Sequence, residues 1–330
     1  MTTYKEAGVD IKAGDAAVKK ISSLAKSTFN KNTLSDIGSF GGCFNFPKDE
    51  YDNPVLVSSA DGVGTKLKIA FLSNQHNTIG QCLVNHCVND ILVIGAKPLF
   101  FLDYFATEKL DADVLSSVVG GLSKACIENE CVLIGGETAE MPGFYKNKEY
   151  DISGTIVGVV DRDLMVPNRN ISTGDILIGL HSTGLHTNGY SLARKVLLER
   201  YSVDDIVPGT NRSVKDNLLS IHKSYFNACA DILNKDWLNG ISHITGGGIE
   251  GNTMRILSKG QSLDIDWSSW KRPEIFNSIQ DLGDVPESDM RQSMNLGIGL
   301  ILVVSKSSVD ACVKHLEAIN EQYSIIGRIN

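Results

Sequence analysis

The order of apolar and polar positions along the chain predicts an α/β protein. Short apolar runs rich in β-branched and aromatic residues suit buried strands, and they alternate with longer segments that carry an apolar stripe at helical spacing. The predicted strands span residues 55–57, 98–106, 132–134, 152–160, 175–180, 300–304 and 323–327. The predicted helices span residues 11–30, 78–95, 111–126, 191–200, 216–234, 249–257 and 307–318.

A break in this pattern divides the chain into two predicted domains. Between residues 166 and 175, Pro, Asn, Ser and Gly replace the apolar periodicity, as they do in a linker. We therefore expect a first α/β domain over residues 1–170 and a second over residues 171–330. The run PLFFLDYFA at 98–106 is too apolar for an exposed edge strand, so we expect another sheet or another subunit to cover it.

Composition and charge exclude several classes of partner. The 330 residues carry a formal charge of −8, which argues against a nucleic-acid surface because phosphate backbones attract clustered Lys and Arg. No long uncharged apolar run occurs, and charged residues interrupt the N-terminal segment, so we expect neither a membrane span nor a secretory leader. Seven cysteines, an odd number, suit free thiols in a reducing compartment. We therefore expect a cytoplasmic protein.

The segment PVLVSSADGVGTK at 54–66 is the strongest single candidate for a binding site. After a short strand it offers a carboxylate, a hydroxyl and an ammonium group among glycines, from Asp61, Thr65 and Lys66. These groups together suit a magnesium ion and a polyphosphate. The segment lacks the pattern of a P-loop, and Leu67 stands where a dinucleotide fingerprint needs its third glycine. A turn that closes a hairpin is the alternative interpretation.

Further acidic side chains occur where a ligand is expected. Asp90 lies near the apolar side of the helical segment 78–95, where a carboxylate is costly to bury unless it is paired or bound to a metal. Glu137 and Glu140 follow the glycines that end the strand at 132–134, and ligands of α/β proteins collect beyond the carboxyl ends of strands. For Asp90 the alternative is a position that faces water.

Three glycine-rich or polar segments are also candidates. Segments 182–190 and 243–248 each precede a predicted helix, whose N-terminus suits an anion such as a sugar phosphate. Helix capping with an incidental His186 is the alternative for the first of them. The three adjacent glycines of the second cost more conformational entropy than a plain turn requires, which favours a ligand. Segment 38–43 is either a loop over a ligand or a connection.

Several motifs occur together in an order that resembles a single family. They are AGVDIKAG at 7–14, DGVGTK at 61–66, VND at 88–90, PLFFLDYFAT at 98–107, GGETAEMPG at 135–143, HTNGYSL at 186–192, HITGGG at 243–248 and NLGIG at 295–299. The chain resembles the phosphoribosylformylglycinamidine cyclo-ligases, which are the aminoimidazole ribonucleotide synthetases of purine biosynthesis. The resemblance runs almost from end to end.

The resemblance implies a fold and a reaction. In the implied fold, strands of the N-terminal α/β domain pair with those of a second subunit to form a barrel across a homodimer, and a C-terminal α/β domain with a mixed sheet packs beside it. In the implied reaction, ATP phosphorylates the formamide oxygen of formylglycinamidine ribonucleotide. An internal amidine nitrogen then attacks the activated carbon, and phosphate leaves as the imidazole ring closes. Whether a monovalent cation is needed besides Mg²⁺ stays open.

The same resemblance assigns roles to individual residues. Magnesium on the ATP phosphates would be held by Asp61, Asp90 and Glu137. The nucleotide would contact Gly38, Ser39, Phe40, Gly41, Gly42, Asp61, Gly62, Val63, Gly64, Thr65, Lys66, Asp90, Gly135, Gly136, Glu137 and Thr138. The ribonucleotide substrate would contact His186, Thr187, Asn188, Gly189, Tyr190, Ser191, Thr245, Gly246, Gly247 and Gly248.

Catalytic roles are implied for Lys66, which would neutralise the transferring phosphoryl group, and for His186 or His243, which would carry a proton. Imidazole titrates near neutrality and so suits proton transfer. Loss of the amidine proton to water or to the leaving phosphate is the alternative. Two other functions stay open: a small-molecule kinase of the same superfamily, such as a thiamine monophosphate kinase or selenophosphate synthetase, and a nucleotide-binding regulatory module without turnover.

Overall fold

A computed structural model describes residues 11–330, and its backbone forms a four-stranded sheet in the first half of the chain and a five-stranded sheet in the second. Residues 7–10 of the predicted motif at 7–14 lie outside the described residues. Within the described range, none of the helices has both the length and the apolar content that crossing a bilayer requires.

The N-terminal sheet is mixed and has the strand order β1-β4-β2-β3. Its strands are β1 (Pro54–Gly62), β2 (Lys97–Thr107), β3 (Val132–Glu140) and β4 (Tyr150–Asp161). Strands β2 and β3 are parallel, and β4 pairs antiparallel with both β1 and β2. The helices of this half are α1 (Ile11–Lys26), α2 (Leu67–Ser73), α3 (Ile79–Leu92) and α4 (Ala112–Glu128). Helix α3 packs on the sheet and on α4, and its buried apolar residues form much of this core.

Strands β1 and β3 are longer than predicted, which corrects the expectation that their polar groups lie in loops beyond the strands. Asp61 pairs with Gly154 within the sheet, and Gly136 pairs with Asp103. The glycines serve packing here, since a Cβ at Gly154 would lie 2.1 Å from a ring carbon of Phe101 and one at Gly136 would lie 2.3 Å from an Asp103 oxygen. Glycine therefore permits close side-chain approach inside the sheet instead of a turn.

The face of this sheet that points away from α3 is only partly covered within the described chain, where the Phe44 ring lies 5.4 Å from that of Phe100. Leu56 on β1 is 65% exposed and Tyr104 on β2 is 41% exposed. Among the described residues, no further strand pairs with the outer edges of β1 and β3. The barrel across a homodimer stays a prediction.

The C-terminal sheet has the order β6-β8-β5-β9-β7. Its strands are β5 (Ile176–His181), β6 (Leu238–His243), β7 (Leu263–Ile265), β8 (Ile298–Val304) and β9 (Tyr323–Ile329). Every strand pairing in it is antiparallel, so the prediction of a mixed C-terminal sheet is wrong, and the mixed sheet is the N-terminal one. Alternate residues of β5 and β8 belong to two different hydrophobic clusters, because both faces of the central strands are buried.

The helices of the second half are α5 (Tyr190–Leu198), α6 (Val214–Leu218), α7 (Phe226–Cys229), α8 (Gly248–Thr253), α9 (Glu274–Gly283), α10 (Glu287–Ser293) and α11 (Val309–Ala318). The single helix predicted over 216–234 is wrong, because residues 219–225 leave the helix and meet side chains of the first domain. Asn85 Nδ2 donates to the His222 carbonyl at 2.7 Å, and Asn89 Nδ2 donates to the Lys223 carbonyl at 2.9 Å. Polar side chains of α3 thus replace the helical partners of this backbone.

Candidate active site at the domain junction

Residues from both domains line one cavity of about 720 Å³, which we call the junction cavity. The N-terminal domain contributes the end of β1 and two side chains of α3, and the C-terminal domain contributes segments that follow β5 and β6. The predicted site residues in its lining are Asp61, Gly62, Gly64, Asp90, Thr187, Asn188, His243 and Thr245. The fold therefore brings together residues that lie far apart in the sequence.

The two aspartates of this cavity are each paired with a histidine. Asp61 Oδ2 lies 3.1 Å from His86 Nε2, and Asp90 Oδ1 lies 2.8 Å from His243 Nδ1. Ser59 donates its hydroxyl to Asp90 Oδ2 at 2.9 Å. Burial acts to raise the pKa of Asp90, but the hydrogen bond and charge of His243 outweigh it and hold this pKa below its ordinary value. Asp90 is therefore a carboxylate at neutral pH.

Four buried imidazoles cluster at this cavity: His86 and His243 line it, and His186 and His222 lie behind them. The rings of His186 and His222 stack with centroids 4.1 Å apart, and the His222 ring centre lies 5.0 Å from that of His86 and 5.3 Å from that of His243. Burial lowers the pKa of His86 and holds the pKa of His186 and of His222 well below the usual range. These three rings are consequently neutral at pH 7.

His186 lies behind His222 and is 1% exposed, so it does not line the junction cavity. Its Nε2 accepts the Thr183 N–H at 3.3 Å, and its Nδ1 has no hydrogen-bond partner within residues 11–330. Gly299 of the NLGIG motif makes room for it, since a Cβ there would lie 2.6 Å from His186 Cε1 and 2.0 Å from the Tyr225 hydroxyl. The predicted direct role of His186 in substrate binding and proton transfer is therefore corrected to a packing role, whereas His86 and His243 are the imidazoles that line the cavity.

Lys66 also departs from its predicted place. Its side chain is fully buried, and its ammonium group donates to the carbonyls of His186 at 2.9 Å and Ser220 at 2.5 Å. The ammonium lies 5.5 Å from the ring centre of Tyr190. The catalytic role expected for Lys66 is therefore corrected: its charge joins the two domains and does not face the cavity.

Several other predicted contact residues serve the fold. Val63 is buried in the core, while Thr65 and Ser191 are exposed outside the cavity lining. Tyr190 donates its hydroxyl to the Leu218 carbonyl at 2.5 Å. Gly189 precedes α5 with a left-handed φ of 77°.

The glycine run at 246–248 forms the turn between Thr245 and helix α8. Gly247 has a φ of 105°, and a Cβ at Gly248 would lie 1.7 Å from the Arg291 carbonyl oxygen. Turn geometry and packing therefore explain two of these glycines without a ligand.

The remaining predicted nucleotide residues line a second cavity of about 290 Å³, which we call the glycine-loop cavity. Residues 38–42 form one wall, and residues 135–138, including Glu137, form another. Asp103 lies between them, and burial raises its pKa to about 7. The two glycine-rich segments thus adjoin, and their contact with a nucleotide stays a prediction.

Glu137 does not meet Asp61 and Asp90 within one chain. Sheet pairing aligns Asp61 with Gly154, Asp103 and Gly136 in turn, so three strand spacings, or roughly 14 Å, separate β1 from β3 at this level. One magnesium ion needs its ligands about 2.1 Å away. A single ion shared by all three carboxylates, as predicted, is therefore not possible within one protomer.

Comparison with known proteins identifies the family. The model of the AIR synthase related protein N-terminal domain matches residues 47–160, and that of the AIR synthase related protein C-terminal domain matches residues 172–330. The chain belongs to the AIR synthase related protein family. The predicted resemblance is confirmed.

Curated relatives carry the name phosphoribosylformylglycinamidine cyclo-ligase. The one from Geotalea uraniireducens (strain Rf4) is 49% identical over 329 residues, which cover 99% of this chain and 94% of the relative. The one from Thermoanaerobacter sp. (strain X514) is 48% identical over 328 residues, which cover 99% of this chain and 97% of the relative.

Solved structures with the same fold have other names. Thiamine-monophosphate kinase from Stenotrophomonas maltophilia K279a has a TM-score of 0.69 and 16% identity, covering 95% of this chain and 93% of that one. Hydrogenase maturation protein HypE in complex with ATP has a TM-score of 0.67 and 19% identity, covering 95% of this chain and 86% of that one. At these identities the likeness shows the shared fold.

Four polar side chains at the domain junction were not predicted from the sequence: His86, His222, Asn252 and Arg255. His86 precedes Asp90 by one helical turn in a correctly predicted helix, and that spacing is a signal that both side chains share one face. His222 lies in the segment wrongly predicted as helix, while Asn252 and Arg255 follow the HITGGG motif in a short helical turn. Their place in the site depends on contacts between the domains, for which the sequence offers no local signal.

Proposed function

We propose that this chain is an ATP-dependent cyclo-ligase that converts formylglycinamidine ribonucleotide to 5-aminoimidazole ribonucleotide, with release of ADP and phosphate. The observation that carries the proposal is the junction cavity, in which acidic groups of one domain face hydroxyl, amide and imidazole groups of the other. Its volume suits a small-molecule site. Full-length similarity to relatives named for this activity supports the substrate.

The reaction needs positioning and charge neutralisation more than covalent help from the protein. A formamide oxygen is a poor leaving group, and phosphorylation by ATP converts it into one that departs as phosphate. The amidine nitrogen that carries the ribose then forms the new C–N bond, the C–O bond breaks, and one proton leaves the nitrogen. Holding the amidine close to the formyl carbon supplies much of the rate enhancement.

Asp61 and Asp90 would hold the magnesium ion of the nucleotide. Both carboxylates line the cavity, and their side chains are 43% and 28% exposed, so oxygen atoms face the space where phosphates would lie. Oxygen donors of this kind suit Mg²⁺. When bound, the ion would offset the negative charge on the transferring phosphoryl group.

The C-terminal side of the cavity would bind the ribonucleotide and accept its proton. Arg255 provides a cation at the cavity wall, and Thr187, Asn188 and Thr245 provide hydrogen-bonding groups beside it. His86 and His243 both line the cavity beside a carboxylate, and we assign the proton from the amidine nitrogen to His243, which belongs to the same domain as these binding groups.

We further propose that the active form is a homodimer. The exposed part of the N-terminal sheet face, which includes Leu56 and Tyr104, supports this assembly, as do the outer edges of β1 and β3, which pair with no further strand among the described residues. Because Glu137 cannot reach Asp61 in its own chain, it would act on the nucleotide of the partner.

Complementation tests this assignment. Asp61→Asn and Glu137→Gln should each be inactive alone, while coexpression should restore about a quarter of the wild-type activity, because half of the dimers would then contain one intact site. No recovery in isolated heterodimers would contradict shared sites.

The overall proposal is tested by mixing the protein with Mg²⁺, ATP and formylglycinamidine ribonucleotide. We expect ADP formation that requires the ribonucleotide, together with an aminoimidazole product. ATP binding without turnover would instead indicate a regulatory module. ADP formation with thiamine monophosphate, and none with the formylglycinamidine, would indicate a kinase.

A further inference from the structure

Three metal-ligating side chains meet at the wall of the junction cavity: His86, Asp90 and His243. One donor atom from each lies within 4.8 Å of the other two. We propose that these residues form a binding site for one divalent transition-metal ion of the zinc class, open toward the cavity. This inference goes beyond the proposed cyclo-ligase function and does not rest on it.

The backbone fixes where these donors lie. His86 and Asp90 are four residues apart on α3, so their side chains share one face of the helix. His243 ends β6 in the other domain, which means that the site joins the domains. The two histidines are only 4% and 7% exposed, so packing restricts both rings before any ion binds.

A hydrogen-bond chain orients His243. The Tyr225 N–H donates to Asn89 Oδ1 at 3.0 Å, which identifies Asn89 Nδ2 as the donor toward His222 Nε2 at 3.2 Å. His222 Nε2 is therefore an acceptor, and His243 Nε2, 3.2 Å away, donates its N–H to it. His243 Nδ1 then faces Asp90 Oδ1 at 2.8 Å, and a cation bound between these two atoms would displace the proton that they share.

The other two ligands are oriented in the same way. His86 Nδ1 lies 2.9 Å from the Thr187 hydroxyl, and its Nε2 lies 3.1 Å from Asp61 Oδ2, a contact that a bound ion would replace. Asp90 uses Oδ2 to accept the Ser59 hydroxyl at 2.9 Å, which leaves Oδ1 for the ion. Each ligand thus has its second polar atom held by a different side chain, as the ligands of metal sites in proteins do.

The donor types select the metal. Two imidazole nitrogens and one carboxylate oxygen suit Zn²⁺, Co²⁺ or Ni²⁺, whereas Mg²⁺ and Ca²⁺ prefer oxygen ligands throughout. Three protein ligands leave coordination positions on the cavity side for water or a bound molecule. Because Asp90 is shared with the proposed magnesium site, the two ions would exclude one another.

Zinc binding is tested by competition with a chromophoric chelator, using tag-free protein without nucleotide. The Cys43→Ser background removes the exposed thiol among the seven cysteines, and the other six are buried. We expect one Zn²⁺ per chain, at least tenfold weaker binding in His86→Gln and in His243→Asn, and unchanged binding in the control His315→Gln. His315 lies on α11, outside the cluster, and contacts the Ala228 carbonyl.

Two further measurements keep the test decisive if a histidine variant misfolds. Thr187→Val keeps the side-chain shape but removes the group that orients His86, so we expect roughly tenfold weaker Zn²⁺ binding with an unchanged circular dichroism spectrum. Co²⁺ should give visible absorption bands that His86→Gln alters. If the wild type binds Zn²⁺ no more tightly than Thr187→Val and both histidine variants do, the proposal is overturned. The cluster would then be a hydrogen-bonded contact between the domains only.

Discussion

Replacing Lys66 by methionine tests whether this lysine joins the domains or serves the phosphate. The substitution keeps most of the buried aliphatic stem and removes the ammonium group that donates to the carbonyls of His186 and Ser220. Methionine fills similar space without introducing a polar atom.

The magnitude follows from the two lost hydrogen bonds. Hydrogen bonds from a charged donor contribute about 1.5–3 kcal/mol each. Removing the ammonium also removes its own desolvation cost, and the His186 carbonyl keeps a contact with the Tyr190 hydroxyl at 3.1 Å. We therefore expect a net loss of about 2–4 kcal/mol in the free energy of unfolding. The corresponding fall in Tm is roughly 4–8 °C.

Denaturant unfolding and titration with Mg²⁺ and ATP measure the two properties separately. Lys68→Met is the matched control, because the Lys68 ammonium pairs at 2.8 Å with Glu149 at a partly exposed position. The control should lose less than about 1 kcal/mol. Folded Lys66→Met should bind ATP within about threefold of the wild type. Unchanged stability together with a tenfold or larger loss of ATP affinity would refute the domain-joining role.

Three further predictions address the cavities and the packing. Asp61→Asn should abolish turnover. Its free energy of unfolding should stay within about 1 kcal/mol of the wild-type value, because the contact of Asp61 with His86 is partly exposed. Full activity of this variant would remove Asp61 from the metal site. Burial raises the pKa of Asp103 to about 7, so the folded state favours the protonated carboxyl group. The contribution of this group to the free energy of unfolding is therefore complete below about pH 4, declines as pH rises and is lost above about pH 7. Asp103→Asn should therefore gain stability relative to the wild type between those limits, by at most about 4 kcal/mol, and a pH-independent difference in urea unfolding would contradict this. Gly299→Ala should lower the free energy of unfolding by about 1–3 kcal/mol, because the added Cβ meets the Tyr225 hydroxyl. In the control Gly135→Ala, the added Cβ meets nothing within 4 Å. Equal Tm values for the two variants would contradict the packing argument.

The sequence predicted the alternation of strands and helices because each element carries its own periodicity. Helix α3 was expected over 78–95 and spans Ile79–Leu92, and its apolar face packs as predicted. The segment 219–225 shows why another prediction failed. Its composition suits a helix, but side chains of Lys66 and Asn89, more than a hundred positions away, bind its backbone carbonyls. No local pattern reports such a contact.

The candidate site was predictable in its members more than in their arrangement. Asp61, Asp90 and His243 share the junction cavity, as their motifs led us to expect. Glu137 lies elsewhere because β3 continues through its glycines, so the strand end that motivated the prediction is several residues further on. His86 escaped notice because a histidine in an apolar helix also fits a core position, although its four-residue spacing from Asp90 places both side chains on one face.

The central claim is that ATP activates the formyl oxygen and that this oxygen departs as phosphate. Formylglycinamidine ribonucleotide labelled with ¹⁸O in its formyl group, incubated with the protein, Mg²⁺ and unlabelled ATP, tests it directly by mass spectrometry of the released phosphate. We predict one labelled oxygen in the inorganic phosphate for each aminoimidazole formed. Recovery of the label in water, with unlabelled phosphate, would contradict the account.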